Sequence, residues 1–177
     1  MSDISVLVID DHPIFREGVR NVIEAEDGMR VVGEGTRGDQ GVDLVRQFRP
    51  TVALIDVNLP TMNGIQVTRL ISAERLGASI VLLTAYDDEQ QIYHAFSAGA
   101  SAYCSKDIEA GKLLDVIRQV ARGFYVVGDQ VYDESGLQQW LSRGVESHRR
   151  PHLEGDVEAF APLSPREMEI LQYVTRG

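Results

Sequence analysis

The sequence has 177 residues, and 17 Lys and Arg set against 27 Asp and Glu give a formal charge of −10. That balance argues against a protein that coats nucleic acid, because phosphate backbones attract basic surfaces. Apolar residues at 44% and charged residues at 25% match a folded globular chain. The length has room for one ordinary domain plus a fragment, or for two small domains, and excludes two large ones.

One cysteine, Cys104, rules out an intramolecular disulfide, and no Cys/His group has zinc-ligand spacing. A reducing cytoplasm is the expected location. Asp3, Asp10 and Asp11 interrupt the opening segment, so no signal peptide is read there. The apolar runs fall well short of the roughly 20 residues a membrane span needs.

In chain order, five short apolar or β-branched runs read as strands: Val6 to Ile9, Arg30 to Gly33, Val52 to Ile55, Ile80 to Leu83 and the weaker Ala102 to Cys104. Between them the spacing is helical, through Ile14, Phe15, Val19, Val22 and Ile23, then Val42, Leu44, Val45 and Phe48, then Ile65, Val67, Leu70 and Ile71, then Ile92, Tyr93 and Phe96. Pro13 suits a first helical turn, Asp87 and Asp88 suit the cap of the fourth helix, and Gly99 suits its end. A fifth helix after Asp107 turns Leu113, Leu114, Ile117, Val120 and Ala121 inward and stops at Gly123. Apolar strands alternating with helices predict a parallel sheet covered on both faces, so residues 1–123 form a five-unit α/β domain.

Beyond it the pattern changes. Leu137, Trp140 and Leu141 predict one amphipathic helix within a linker over 124–160, with Trp140 as its anchor. Leu163-Ser-Pro-Arg-Glu-Met168 then restarts order over 161–177. Ser164 is placed as N-cap, Pro165 as the first helical residue, Glu167 as capping partner, and Leu163 with Met168 as a hydrophobic staple. One amphipathic helix cannot bury its own apolar face, so this second domain is expected to be truncated.

Ligands of an open parallel sheet bind beyond the carboxyl ends of its strands. The first strand ends in Asp10-Asp11, the third in Asp56 and the fourth in Thr84, and the fifth leads into Lys106. Each has a commonplace reading alone: a helix cap for Asp10 or Asp11, a turn residue for Asp56, a strand residue for Thr84, a solvated charge for Lys106. Together they place three carboxylates, a hydroxyl and an ammonium at one sheet edge. Three carboxylates repel one another unless a hard divalent cation neutralises them, and Mg2+ fits best because it keeps sites open for phosphate oxygens. Asp56 is then a nucleophile toward phosphorus, with Thr84 and Lys106 as donors to the phosphoryl oxygens. His12 and His94 are read as surface or capping groups, and Cys104 as a small packed residue.

These segments, Val8-Ile-Asp-Asp-His12, Leu54-Ile-Asp-Val-Asn-Leu-Pro-Thr-Met-Asn-Gly64, Leu83-Thr-Ala85 and Tyr103-Cys-Ser-Lys106, resemble those of response-regulator receiver domains over residues 3 to 122. The resemblance implies a flavodoxin-like sheet of order 2-1-3-4-5 and phosphorylation at Asp56. It further implies Mg2+ bound by Asp10, Asp11, Asp56 and the backbone carbonyl of Asn58, a phosphoryl-binding Lys106, and a Thr84–Tyr103 switch pair. Leu163 to Leu171 is similar to the opening of the LuxR-type helix-turn-helix of NarL/FixJ response regulators, whose recognition helix would fall beyond Gly177.

The reading is therefore a cytoplasmic phosphoprotein of a two-component system. A sensor histidine kinase donates phosphoryl to Asp56, Thr84 moves toward it, and Tyr103 turns inward and reshapes the face around the fourth helix. A homodimer then forms and transcription is controlled through DNA bound by the complete output domain. A stand-alone receiver acting on a protein partner is the alternative. A Mg-dependent phosphohydrolase is a weaker one, since such enzymes place nucleophile and acid/base as Asp-x-Asp on one strand end, whereas Asp56 lies apart from Asp10-Asp11.

Overall fold

The computed structural model describes residues 2–86 and 88–148. The parallel core contains β1 (Ile4–Ile9), β2 (Met29–Gly35), β3 (Val52–Asp56), β4 (Ser79–Thr84) and β5 (Ala102–Ser105). Helices α1 (Pro13–Glu24), α2 (Gly38–Phe48), α3 (Gly64–Ala73), α4 (Glu89–Ala98) and α5 (Ala110–Ala121) come after the five strands in turn. These strands lie in the order β2-β1-β3-β4-β5, the flavodoxin-like arrangement.

The sheet has seven strands rather than the five expected. A hairpin of β6 (Tyr125–Val127) and β7 (Gln130–Tyr132) adds to its β5 edge, with β6 parallel to β5 and β7 antiparallel to β6. The two-residue Gly128-Asp129 connection, with Gly128 at φ 60°, makes this close reversal possible. Helix α6 (Glu134–His148) comes next, so the linker range opens with a piece of the sheet and the predicted helix. The remainder of that range, the Ser164 helix and the Asp87 cap lie outside the described residues.

Strand alternation divides the core. Leu7, Ile9, Ala53, Ile55, Ile80 and Leu82 point to the face covered by α2, α3, α4 and α6. Val6, Val8, Val52, Leu54, Val81 and Leu83 point to the face covered by α1 and α5. Both faces being dry explains why the strands read as unbroken apolar runs.

The carboxyl ends of β1 and β3 meet where the strand order reverses, with Ile9 beside Ile55. Loop chemistry fixes the segments that leave these two strands. Pro13 opens α1, and Asn63 closes a capping box with Gln66 at the start of α3. Gly38 at the start of α2 donates its N–H to the Pro60 carbonyl, and its Cα faces Met62 so closely that a Cβ would lie 1.8 Å from the Met62 carbonyl oxygen. The segment after Asp56 is thus held by α2 as well as by its own cap.

Candidate functional site

Each acidic residue of the site sits where a strand stops. Asp10 comes directly after β1 and is tied to the β2 edge by its N–H to the Gly35 carbonyl, at 3.0 Å. Asp56 ends β3, and the next N–H, that of Val57, donates to the Leu83 carbonyl at 2.9 Å. Lys106 comes directly after β5, its N–H donating to the Thr84 carbonyl at 2.7 Å. Backbone bonds between neighbouring strands therefore place these side chains before any side-chain interaction does.

Asp10 and Asp56 are buried, at 2% and 1% exposure. Lys106 Nζ lies 3.0 Å from Asp56 Oδ2 and 2.7 Å from Asp10 Oδ2. The other Asp56 oxygen accepts the Asn58 N–H at 3.0 Å. Burial pushes the Asp56 carboxyl above its ordinary range. The Asn58 N–H and Lys106 counter this only in part, and the charge of Asp10 adds to it. For Lys106, burial works against the charged form, but hydrogen bonds and charges from Asp10 and Asp56 outweigh it and its pKa rises. The ammonium is thus a fixed cation of the site.

Asp11 is more open, and the imidazole of His12 closes the group. His12 Nδ1 lies 3.0 Å from Asp10 Oδ1, 3.1 Å from Asp11 Oδ1, 3.5 Å from Asp56 Oδ2 and 3.2 Å from Lys106 Nζ. His12 lies at the surface and at the start of α1 as expected, and nothing in the sequence signals that its ring also joins the acidic group. It is the N-cap of α1 without a side-chain cap bond, and it is 63% exposed, yet its Nδ1 reaches inward. Two further residues of α1, which no strand end signals, serve the site. Phe15 lays its ring 4.7 Å from Lys106 Nζ, and Arg16 donates to the Asp10 carbonyl at 2.6 Å. Their signal lies in the helical turn starting at Pro13, which aims the first-turn side chains back at the strand end.

Three carboxylates face one ammonium, leaving negative charge in excess. Donor atoms of Asp10, Asp11, His12 and Asp56 all lie within 4.8 Å of one another. Asp10 Oδ2 is buried and faces a cation, the Lys106 ammonium at 2.7 Å. The negative charge left in excess fits a hard cation, and the oxygen-rich donor set fits Mg2+.

The proposed switch residues lie beside this group rather than in it. Thr84 is buried, but its hydroxyl donates to the Tyr86 carbonyl at 2.9 Å and accepts the Tyr86 N–H at 3.1 Å. Tyr103 already points inward, its hydroxyl 3.2 Å from Gln91 Oε1 on α4. The inward tyrosine thus coexists with a threonine turned toward its own loop.

A doubly covered parallel sheet with acidic residues at the ends of two adjacent strands and a lysine after the fifth defines a receiver-type α/β domain. The family model for the response regulator receiver domain matches residues 6–118, and the chain belongs to that family. It is 33% identical to the transcriptional regulatory protein DegU of Brevibacillus brevis, over 98% of this chain and 75% of DegU. It is 32% identical to the nitrate/nitrite response regulator protein NarL of Escherichia coli K12, over 98% of this chain and 76% of NarL. Among solved structures, a LuxR-family two-component response regulator from Aurantimonas sp. SI85-9A1 superposes with a TM-score of 0.68 at 30% identity, covering 81% of this chain and 99% of that one. These relatives are response regulators rather than classical enzymes. No helix among the described residues is long and apolar enough to cross a membrane.

Proposed function

We propose that this chain is a phosphorylation-dependent response regulator in which Asp56 accepts a phosphoryl group from a sensor histidine kinase. The observation that carries the reading is the buried Asp56 carboxylate, held between the Asn58 N–H and Lys106 Nζ beside the buried Asp10 carboxylate. An Asp56 oxygen bonds to phosphorus as the P–N bond to the kinase imidazole breaks, and the ring nitrogen keeps the electron pair. The nucleophile is an ionised carboxylate, so no general base is needed. Mg2+ held by Asp10, Asp11, Asp56 and the Asn58 backbone carbonyl would neutralise the phosphoryl oxygens. Lys106 supplies a fixed positive charge to the same oxygens.

Phosphorylation adds roughly −1.5 to −2 charge and three acceptor oxygens. Thr84 answers by leaving Tyr86 to donate to one of them, which frees the turn between β4 and α4. Tyr103, tied to α4 through Gln91, makes that helix the element that changes place. In this reading residues 1–123 are the receiver, residues 124–160 connect it, and residues 161–177 open a LuxR-type helix-turn-helix. Dimerisation of the phosphorylated protein in the cytoplasm places paired output domains on DNA and controls transcription.

Intact mass after incubation with Mg2+ and a small acyl phosphate tests the reading. The wild type is expected to gain one phosphoryl group and Asp56→Asn none; equal gains would overturn the assignment.

A further inference from the structure

Helix α6 begins at a cap in which Asp133 accepts the Gly136 N–H, and it places Leu137, Trp140, Leu141, Gly144 and Val145 on one helical stripe. That stripe meets α4. Leu137 is buried in the core, Trp140 packs edge-on against Phe96 with ring centroids 5.5 Å apart, and Tyr93 lies 6.4 Å from Trp140. Gly144 admits the Tyr93 ring: a Cβ there would lie 2.8 and 2.9 Å from two ring carbons. Glycine is a poor residue for a helix interior, so close approach to Tyr93 gives it a purpose at this position.

The opposite end of α4 is gripped by the residues assigned to the switch. Tyr86, bonded twice to Thr84, lies two residues before the α4 cap Asp88, and Gln91 in the first turn meets the Tyr103 hydroxyl. One ten-residue helix therefore carries both the switch contacts and the seat of α6. The seat is incomplete, since a cleft of about 470 Å³ lined by Tyr93, Phe96, Ser97, Leu141 and Val145 among others runs along the seam. Along this cleft the seam forfeits dispersion contacts, so α6 is held chiefly by Leu137 and Trp140.

We infer that the outer face of α4 is a docking surface for this chain's own α6, seated while Thr84 is held by Tyr86 and released when phosphorylation draws Thr84 away. Release uncovers Tyr93 and Phe96 and frees the segment that leads toward residues 161–177. The two arrangements differ in whether α4 keeps its place under Trp140, and a two-state element of this kind is what coupling between distant sites requires. Release in this form rests on phosphoryl acceptance by Asp56.

Trp140 is the sole tryptophan of the chain, so its fluorescence reports this seam alone. In the full 177-residue chain, phosphorylation verified by intact mass is expected to shift Trp140 emission to longer wavelength and to remove amide-exchange protection from α6. Gly144→Ala is expected to show both changes before any phosphoryl donor is added, and to gain one phosphoryl group when the donor is supplied. Alanine has the higher helix propensity, so lost α6 protection in this variant would follow from undocking and not from a weaker helix. Full phosphorylation with unchanged Trp140 emission and unchanged α6 protection would overturn the strap and leave Asp56 standing. No phosphoryl gain would overturn both. Gly144→Ala with wild-type emission would overturn the seam as the point of control.

Discussion

Lys106 Nζ bridges Asp56 and Asp10, 3.0 Å from one carboxylate and 2.7 Å from the other, across the ends of β3 and β1. Without it two buried carboxylates would confront each other with no cation between them. Lys106→Met is therefore expected to slow phosphorylation of Asp56 by about 100-fold, the scale of losing one preorganised donor at a developing charge. The time course of phosphoryl gain by intact mass at fixed Mg2+ checks this, and a wild-type rate would remove Lys106 from the chemistry.

Asp56 links function to stability with a definite sign. Burial raises its pKa above the ordinary 3.8, so the folded state holds the proton more tightly than the unfolded state and ionisation costs folding energy. That cost is absent below the unfolded value, grows as pH rises through the folded value, and stays constant above it. Asp56→Asn is expected to raise the melting temperature at neutral pH in chelator, because the variant buries no charge at this position. The gain shrinks as pH falls toward 3.8. Mg2+ is expected to narrow the difference by stabilising the wild type more. A variant no more stable than wild type at neutral pH in chelator would contradict the buried-charge account.

Much of this site was legible because strands of a doubly covered sheet are apolar until they end. A polar residue after Ile9, Ile55 or Leu83 thus marks the sheet edge, and Asp10, Asp56 and Thr84 are where that rule puts them. Trp140 as anchor of its helix and Cys104 as a packed strand residue came from the same apolar patterning. The hairpin did not, because three-residue strands such as Tyr125–Val127 show no measurable period. The orientation of Thr84 toward Tyr86 and the inward reach of His12 are rotamer choices made by their surroundings, to which residue type and spacing are blind.

Gly64 tests how tightly the Asp56 backbone is held. A Cβ at this position would lie 2.4 Å from the Asp56 carbonyl oxygen and 3.0 Å from a Leu82 methyl carbon. The opposing atom is strand backbone and cannot swing aside, so Gly64→Ala is expected to cost about 2 kcal/mol, within the range for overpacking. Chemical denaturation measures it. The same variant should phosphorylate more slowly, since the shift passes directly to Asp56; unchanged stability and rate would mean that the β3–α3 turn relaxes freely.

Cys104 lies on β5 between Tyr103 and Lys106, yet its chemistry is closed. It is 9% exposed, and burial pushes its thiol up to about 11. At pH 8 only about one thiol in a thousand would be ionised at that value, and the thiolate is the reactive form. A disulfide reagent at pH 8 is therefore expected to leave the native chain unlabelled over minutes and to titrate one thiol at once after unfolding in guanidinium. Release of α6 changes the opposite face of the sheet from the one Cys104 packs into, so phosphorylation should not speed labelling. Rapid labelling of the resting protein would show that β5 opens toward solvent, and rapid labelling only after phosphorylation would place the rearrangement on the α1 and α5 face instead.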